Sequence, residues 1–88
     1  MNRREPFNEA EMEEARRYPV IIEWSDEDAI FLAWAPGLRG TTVHGATPAE
    51  ALEKSTEAVA NWIYGMRKVG QPIPAPTPIP VGRSLFPL

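Results

Sequence analysis

Residues 47–70 read TPAEALEKSTEAVANWIYGMRKVG, and this run carries a start signal, a periodic body and a stop signal for one helix. Thr47 is a helix-capping type, Pro48 suits the first helical position because it has no amide to leave unpaired, and Glu50 stands three residues after the cap, where it returns a hydrogen bond. Leu52, Ser55, Val59, Trp62, Ile63 and Met66 recur at three- and four-residue steps and form one stripe, whereas Glu53, Lys54, Glu57 and Asn61 fall elsewhere. Lys68 near the end, Gly70 as a left-handed cap and Pro72 just beyond stop the helix. A stripe of this kind is buried against something, and the residues before it supply a sheet.

Tyr18 to Trp24 is dense in β-branched and aromatic residues and alternates with period two, which predicts a strand, with the non-donating Pro19 at its first residues or on an unpaired edge. Ser25, Asp26, Glu27 and Asp28 make a polar turn, and Ala29 to Ala35 resumes the strand pattern, so the pair predicts a hairpin. Pro36 and Gly37 stop the second strand, and Thr41 to Gly45 is short and β-prone, a third strand. The second strand is apolar on both faces. Either the N-terminal segment or a second copy of the chain therefore covers the face opposite the long helix.

Residues 7–17 are rich in helix formers, with acidic residues first and Arg16 and Arg17 last, as the helix dipole favours. Their apolar residues Phe7, Met12 and Ala15 are sparse, so this helix needs a docking surface to persist. Beyond Gln71, prolines stand at every second position from Pro72 to Pro80. Alternate prolines fix φ and remove donors, which allows a polyproline-like segment or an edge strand but not a central one. An exposed edge beside a two-faced apolar strand predicts self-association, as a homodimer or larger homo-oligomer, with Phe31, Trp34, Ile73 and Ile79 as contacts.

The arithmetic of the chain agrees with this small α+β arrangement. Its 88 residues bury about 60–65% of the surface of the unfolded chain, one thin core, and exclude a large enzyme architecture. No cysteine and a single histidine argue against disulfides, thiolate clusters and the usual zinc or iron sites, so no cofactor is expected. A net charge of −3 lacks the basic footprint of a nucleic-acid-binding domain, and direct DNA binding is disfavoured. The longest apolar stretch, Ala29 to Pro36, is far short of the roughly 20 residues that cross a bilayer. No apolar run follows the N-terminal arginines, so a cytoplasmic protein is expected.

Taken in order, Tyr18-Pro19-Val20, the acidic turn at Asp26 to Asp28, a strand ending at Ala35-Pro36-Gly37-Leu38, then Gly40, Thr42, Gly45, Thr47, Glu50-Ala51 and a helix closing on Gly70-Gln71-Pro72-Ile73-Pro74-Ala75-Pro76 resemble the HicB-like antitoxin family. The resemblance implies a partial ribonuclease-H-like fold, with a three-stranded antiparallel sheet and one long helix packed across it. It also implies a protein that neutralises a HicA-type toxin, a small basic domain, similar to double-stranded-RNA-binding domains, that cleaves messenger RNA. On this reading residues 1–17 are an N-terminal helical extension, 18–76 the HicB-like domain and 77–88 a proline-rich tail. Many members carry a C-terminal DNA-binding module, for which no room is seen before Leu88, so autorepression through this chain is not expected.

Ribonuclease-H chemistry needs carboxylates converging on two divalent metals about 4 Å apart. No acidic residue interrupts the middle of an apolar strand face here, and His44 has no nucleophile or second ligand near it in sequence, so a non-enzymatic protein is expected. The tryptophans Trp24, Trp34 and Trp62 read as core or subunit-contact residues, without the lysines and arginines that accompany base stacking. The acidic residues Asp26, Glu27, Asp28, Glu50, Glu53 and Glu57 are candidates for attracting and covering a basic RNA-binding partner. The competing reading is a hydrophilic turn and a solubilising helix face.

Overall fold

The structure, a computed structural model, describes residues 7–76. A short helix α1, Glu9–Ala15, leads into strands β1, Ile21–Ser25, β2, Ile30–Trp34, and β3, Val43–Gly45, and then into the long helix α2, Pro48–Lys68. The strands form an antiparallel sheet in the order β1-β2-β3. Trp24 lies opposite Phe31, Ala33 lies between Ile22 and Val43, and Phe31 lies opposite Gly45. This is the expected α+β arrangement of a three-stranded sheet, one long helix and a short N-terminal helix.

Alternation along the strands sorts the side chains into two sets. Ile22, Trp24, Phe31, Ala33, Val43 and Gly45 share the face under α2, and Ile21, Glu23, Ile30, Leu32, Trp34 and His44 share the other. The helix comes down hardest at Gly45. A Cβ placed there would stand 2.6 Å from the Ala51 amide nitrogen, so only glycine permits the approach. In consequence α2 packs chiefly on β3 and β2 and scarcely touches β1.

This close approach also selects which helix residues face inward. Ala51, Ser55, Thr56, Val59, Ala60 and Ile63 are buried, whereas Leu52 is 45% exposed. The expected stripe from Leu52 is thus rotated by one residue at its start, because a small side chain fits where the backbones nearly touch and a leucine does not. From Val59 onward the sheet and helix diverge enough for large residues. Val59, Ala60 and Ile63 join Ala35, Leu38, Tyr18, the α1 residues Met12 and Ala15 and the preceding Phe7 in one core, with Trp62, Tyr64 and Ile73 packed against it. Burying Ile63 or Val59 contributes about 1.5–3 kcal/mol each.

Helix α1 packs on α2, not over the second face of the sheet. The reason lies in its sparse apolar residues, which meet the end of α2 where the core is widest. Its N-terminus is closed by a reciprocal cap that was not read from the sequence: Asn8 Oδ1 accepts from the Glu11 amide at 3.0 Å and Glu11 Oε1 accepts from the Asn8 amide at 2.9 Å. Arg67 of α2 reaches across to Glu14 at 2.8 Å and Glu11 at 3.8 Å. At the far end of α2, Gly70 has φ 75°, and the Gly70 and Gln71 amides donate back to Arg67 and Met66. The stop signal at Gly70 is therefore met as expected.

The loop between β2 and β3 is tied by a buried hydroxyl. Thr41 Oγ1 accepts from the Ala35 amide at 3.2 Å and donates to the Leu38 carbonyl at 2.9 Å. The second sheet face carries Ile21, Ile30, Leu32 and Trp34, all partly buried, and no described helix lies over it. Trp24, expected in the core or at a subunit contact, is 49% exposed.

The glycines separate close packing from helix propensity. Gly45→Ala is expected to destabilise the chain by about 1–3 kcal/mol through overpacking. Gly65→Ala, in α2 with nothing within 4 Å of its added carbon, is expected to stabilise by about 0.5–1 kcal/mol. Urea unfolding of the two variants measures both.

Candidate functional site

The hairpin turn after β1 is held by side chains. Trp24 Nε1 donates to Asp26 Oδ1 at 2.7 Å while its ring stands edge-on to Phe31, centroids 4.9 Å apart. The Asp28 amide donates to Ser25 Oγ at 3.3 Å. Ala29 closes the turn with φ 53°, a left-handed conformation that any side chain disfavours. It was expected to begin the strand, and β2 instead begins at Ile30 because the polar turn needs one more residue to reverse the chain. Asp26, Glu27 and Asp28 are all exposed.

The register brings α2 to the same end of the sheet. Since Gly45 lies opposite Phe31 and α2 starts at Pro48, the first turn of the helix stands at the hairpin end. Thr47 Oγ1 accepts from the Glu50 amide at 3.0 Å, as the capping pattern predicts. The Glu50 carboxylate reaches one residue further back than expected and accepts from the Ala46 amide at 2.6 Å. Lys54 pairs with Glu50 at 3.5 Å. The Ala46 hydrogen bond first, and then the Lys54 charge, hold the Glu50 carboxyl below its ordinary value.

Of the six acidic candidates, the structure gathers Asp26, Glu27, Asp28, Glu50 and Glu53 at this one end, and Glu57 lies a turn further along α2 and is partly buried. The candidate contact residues do not share a surface. Phe31 is on the helix side of the sheet under Trp24, Trp34 is on the opposite face, and Ile73 packs against the core of its own chain. Ile79 lies outside the described residues. His44 is exposed on the second face of the sheet. Among the described residues no group of three or more histidine, cysteine, aspartate or glutamate side chains is placed to hold a metal ion, and no helix is long and apolar enough to cross a membrane.

A feature without a sequence signal is the groove left where α2 turns away from β1. It is an open cleft of about 570 Å³ lined by Met12 of α1 and its C-cap Arg16, by Tyr18 and Val20 ahead of β1 and Ile22 in it, and by Leu52, Glu53 and Thr56 of α2. At its near end the Tyr18 hydroxyl donates to the Pro74 carbonyl at 2.5 Å. Burial, and then the neighbouring Glu14 charge, raise the Tyr18 pKa above its ordinary value against an opposing effect of Arg67, which keeps the hydroxyl a donor.

A model of the HicB-like antitoxin of bacterial toxin-antitoxin systems matches residues 18–84. The chain belongs to this family. No curated protein and no solved structure matched it. The match begins at Tyr18, the residue at which the sequence resemblance begins, and leaves α1 outside the family pattern. Membership of a toxin-antitoxin antitoxin family implies a toxin partner in general.

Because Glu50 is held ionised in the folded chain, its contribution to stability is present above the ordinary value of 4.5 and is lost as pH falls through the depressed one. In Glu50→Gln the loss of stability below that pH is expected to be shallower than in the parent chain. Urea midpoints measured across acidic pH check this.

Proposed function

We propose that the chain neutralises a HicA-type, messenger-RNA-cleaving toxin by binding it and covering its RNA-contacting surface, without breaking bonds itself. Family membership over residues 18–84 carries this reading. The acidic end supports it physically. Asp26, Glu27, Asp28, Glu50 and Glu53 offer a partner with basic phosphate-contacting side chains a field of opposite sign at one edge of the molecule, which steers encounter and competes with RNA for the same charges. Glu57 extends the same helix face. Of these carboxylates Glu50 already has a lysine partner and Asp26 a hydrogen bond from Trp24, so Glu27 and Asp28 on the hairpin are the more available to an incoming chain.

The second sheet face supports a homodimeric or larger form. Ile21, Ile30, Leu32 and Trp34, with the exposed Glu23 and His44 beside Leu32, form a largely apolar face that no described helix covers, and a two-fold copy hides its apolar part without a new kind of partner. This is the specific observation behind the alternative reading, a stand-alone homo-oligomeric binding module of the same fold.

Asp26→Lys/Asp28→Lys is expected to weaken binding of the toxin encoded beside the gene by about tenfold or more at low salt, with a flatter dependence of affinity on ionic strength. Calorimetric titration at two salt concentrations measures it, and unchanged affinity would remove the acidic end from the interface. Sedimentation at micromolar concentration is expected to give a mass above that of one chain, and Trp34→Glu to return it to one.

A further inference from the structure

The open face of the sheet carries two polar groups of opposite character at matched positions. Resting on the homo-oligomeric reading above, we infer that a second copy stacks on this face about a two-fold axis that runs along β2, so that Glu23 of each copy meets His44 of the other.

The register sets the pattern of this face. Glu23 on β1 and His44 on β3 both stand opposite Leu32 of the central strand, with Ile21 beside Trp34 and Ser25 beside Ile30 in the rows on either side. Ile21, Ile30, Leu32 and Trp34 are partly buried, whereas Glu23 and His44 are exposed. Two strand spacings, about 9.5 Å, separate the Glu23 and His44 backbones, with Leu32 between them. A carboxylate accepts hydrogen bonds, and an imidazole always has a ring N–H to donate and gains a positive charge on protonation. Within its own chain His44 is felt at Glu50, whose carboxylate already takes the Ala46 amide and Lys54. The row thus runs acid, apolar, base across the sheet, and it is complementary to itself when reversed.

Symmetry turns that complementarity into an orientation. Two sheets packed face to face with aligned strands, centred on Leu32, have their two-fold axis either along the strands or across them. An axis across the strands lays β1 on β1 and sets Glu23 against Glu23, two like charges brought together as the apolar residues around them lose water. An axis along β2 exchanges the outer strands and lays β1 over β3 of the second copy. Each Glu23 then meets a His44, twice by symmetry. Leu32 meets Leu32 at the centre, and the apolar residues close around the axis between two polar pairs at the rim, the usual anatomy of a stable interface. Of the two aligned arrangements, only this one buries the face without opposing either polar group to its own kind.

Sedimentation equilibrium of the full chain at neutral pH and low salt, combined with a reciprocal charge exchange, tests this. The parent chain is expected to form a dimer. Glu23→Lys and His44→Glu are each expected to weaken it by about tenfold or more, and Glu23→Lys/His44→Glu to recover most of that loss. Glu23→Gln, a mild change at an exposed position that keeps the fold, is expected to weaken the dimer several-fold. Tighter association of Glu23→Gln would set Glu23 against Glu23 and overturn the orientation. A dimer that the single exchanges leave unchanged, or that the double exchange fails to restore, would overturn the orientation while leaving homo-oligomerisation in place. A mass of one chain for the parent would overturn both.

Discussion

The backbone contact between Gly45 and Ala51 sets the geometry of this protein. Where β3 ends and α2 begins, the helix and sheet come closer than any side chain allows, because one partner has no Cβ and the other has only a methyl group. With that point pinned, α2 lies over β3 and β2 and diverges from β1. The divergence makes room for Val59 and Ile63, for the aromatic Tyr18 and for the docking of α1. It also leaves the groove beside β1. A single close approach thus bears on both the core and the groove beside β1.

The N-terminal helix shows which forces hold the periphery. A seven-residue helix is marginal by itself, and Arg67 lies across two of its glutamates. Those pairs are partly exposed and together contribute about 1 kcal/mol or less. Burial of Phe7, Met12 and Ala15 at 2%, 9% and 2% exposure outweighs them, at about 25 cal/mol per Å² of apolar surface. The helix is held by its apolar side. One buried polar atom lacks such compensation: Ser55 Oγ is enclosed against the sheet without a hydrogen-bond partner. Its small size is what the approach at Gly45 requires of this stretch of α2.

For a HicB-like antitoxin the electrostatic arrangement is economical. The carboxylates stand on an exposed turn and the first turns of a helix, and the register of the sheet collects them at one end. Exposed charge of this kind acts through the rate of encounter and the exclusion of competing anions more than through contact energy. The apolar second face of the sheet lies at right angles to that logic and suits a persistent contact. The two surfaces differ in chemistry on one small domain.

Much of the fold was legible locally. The capping of α2 by Thr47, its stop at Gly70, the hairpin and the three short strands all follow from propensities and hydrogen-bond needs that act within a few residues. The resemblance to HicB-like antitoxins was legible for the same reason, since it rests on ordered glycines, prolines and capping residues. The reach of Glu50 to Ala46, the left-handed Ala29 and the reciprocal cap of Asn8 and Glu11 lay at the margin of what local patterns reveal. Which residue leads the buried stripe of α2, which face of the sheet stays open, where α1 docks and that five of the acidic residues share one end were decided only by tertiary packing. These depend on distances between segments far apart in the chain, and periodicity, which sees only neighbours, carries no information about them.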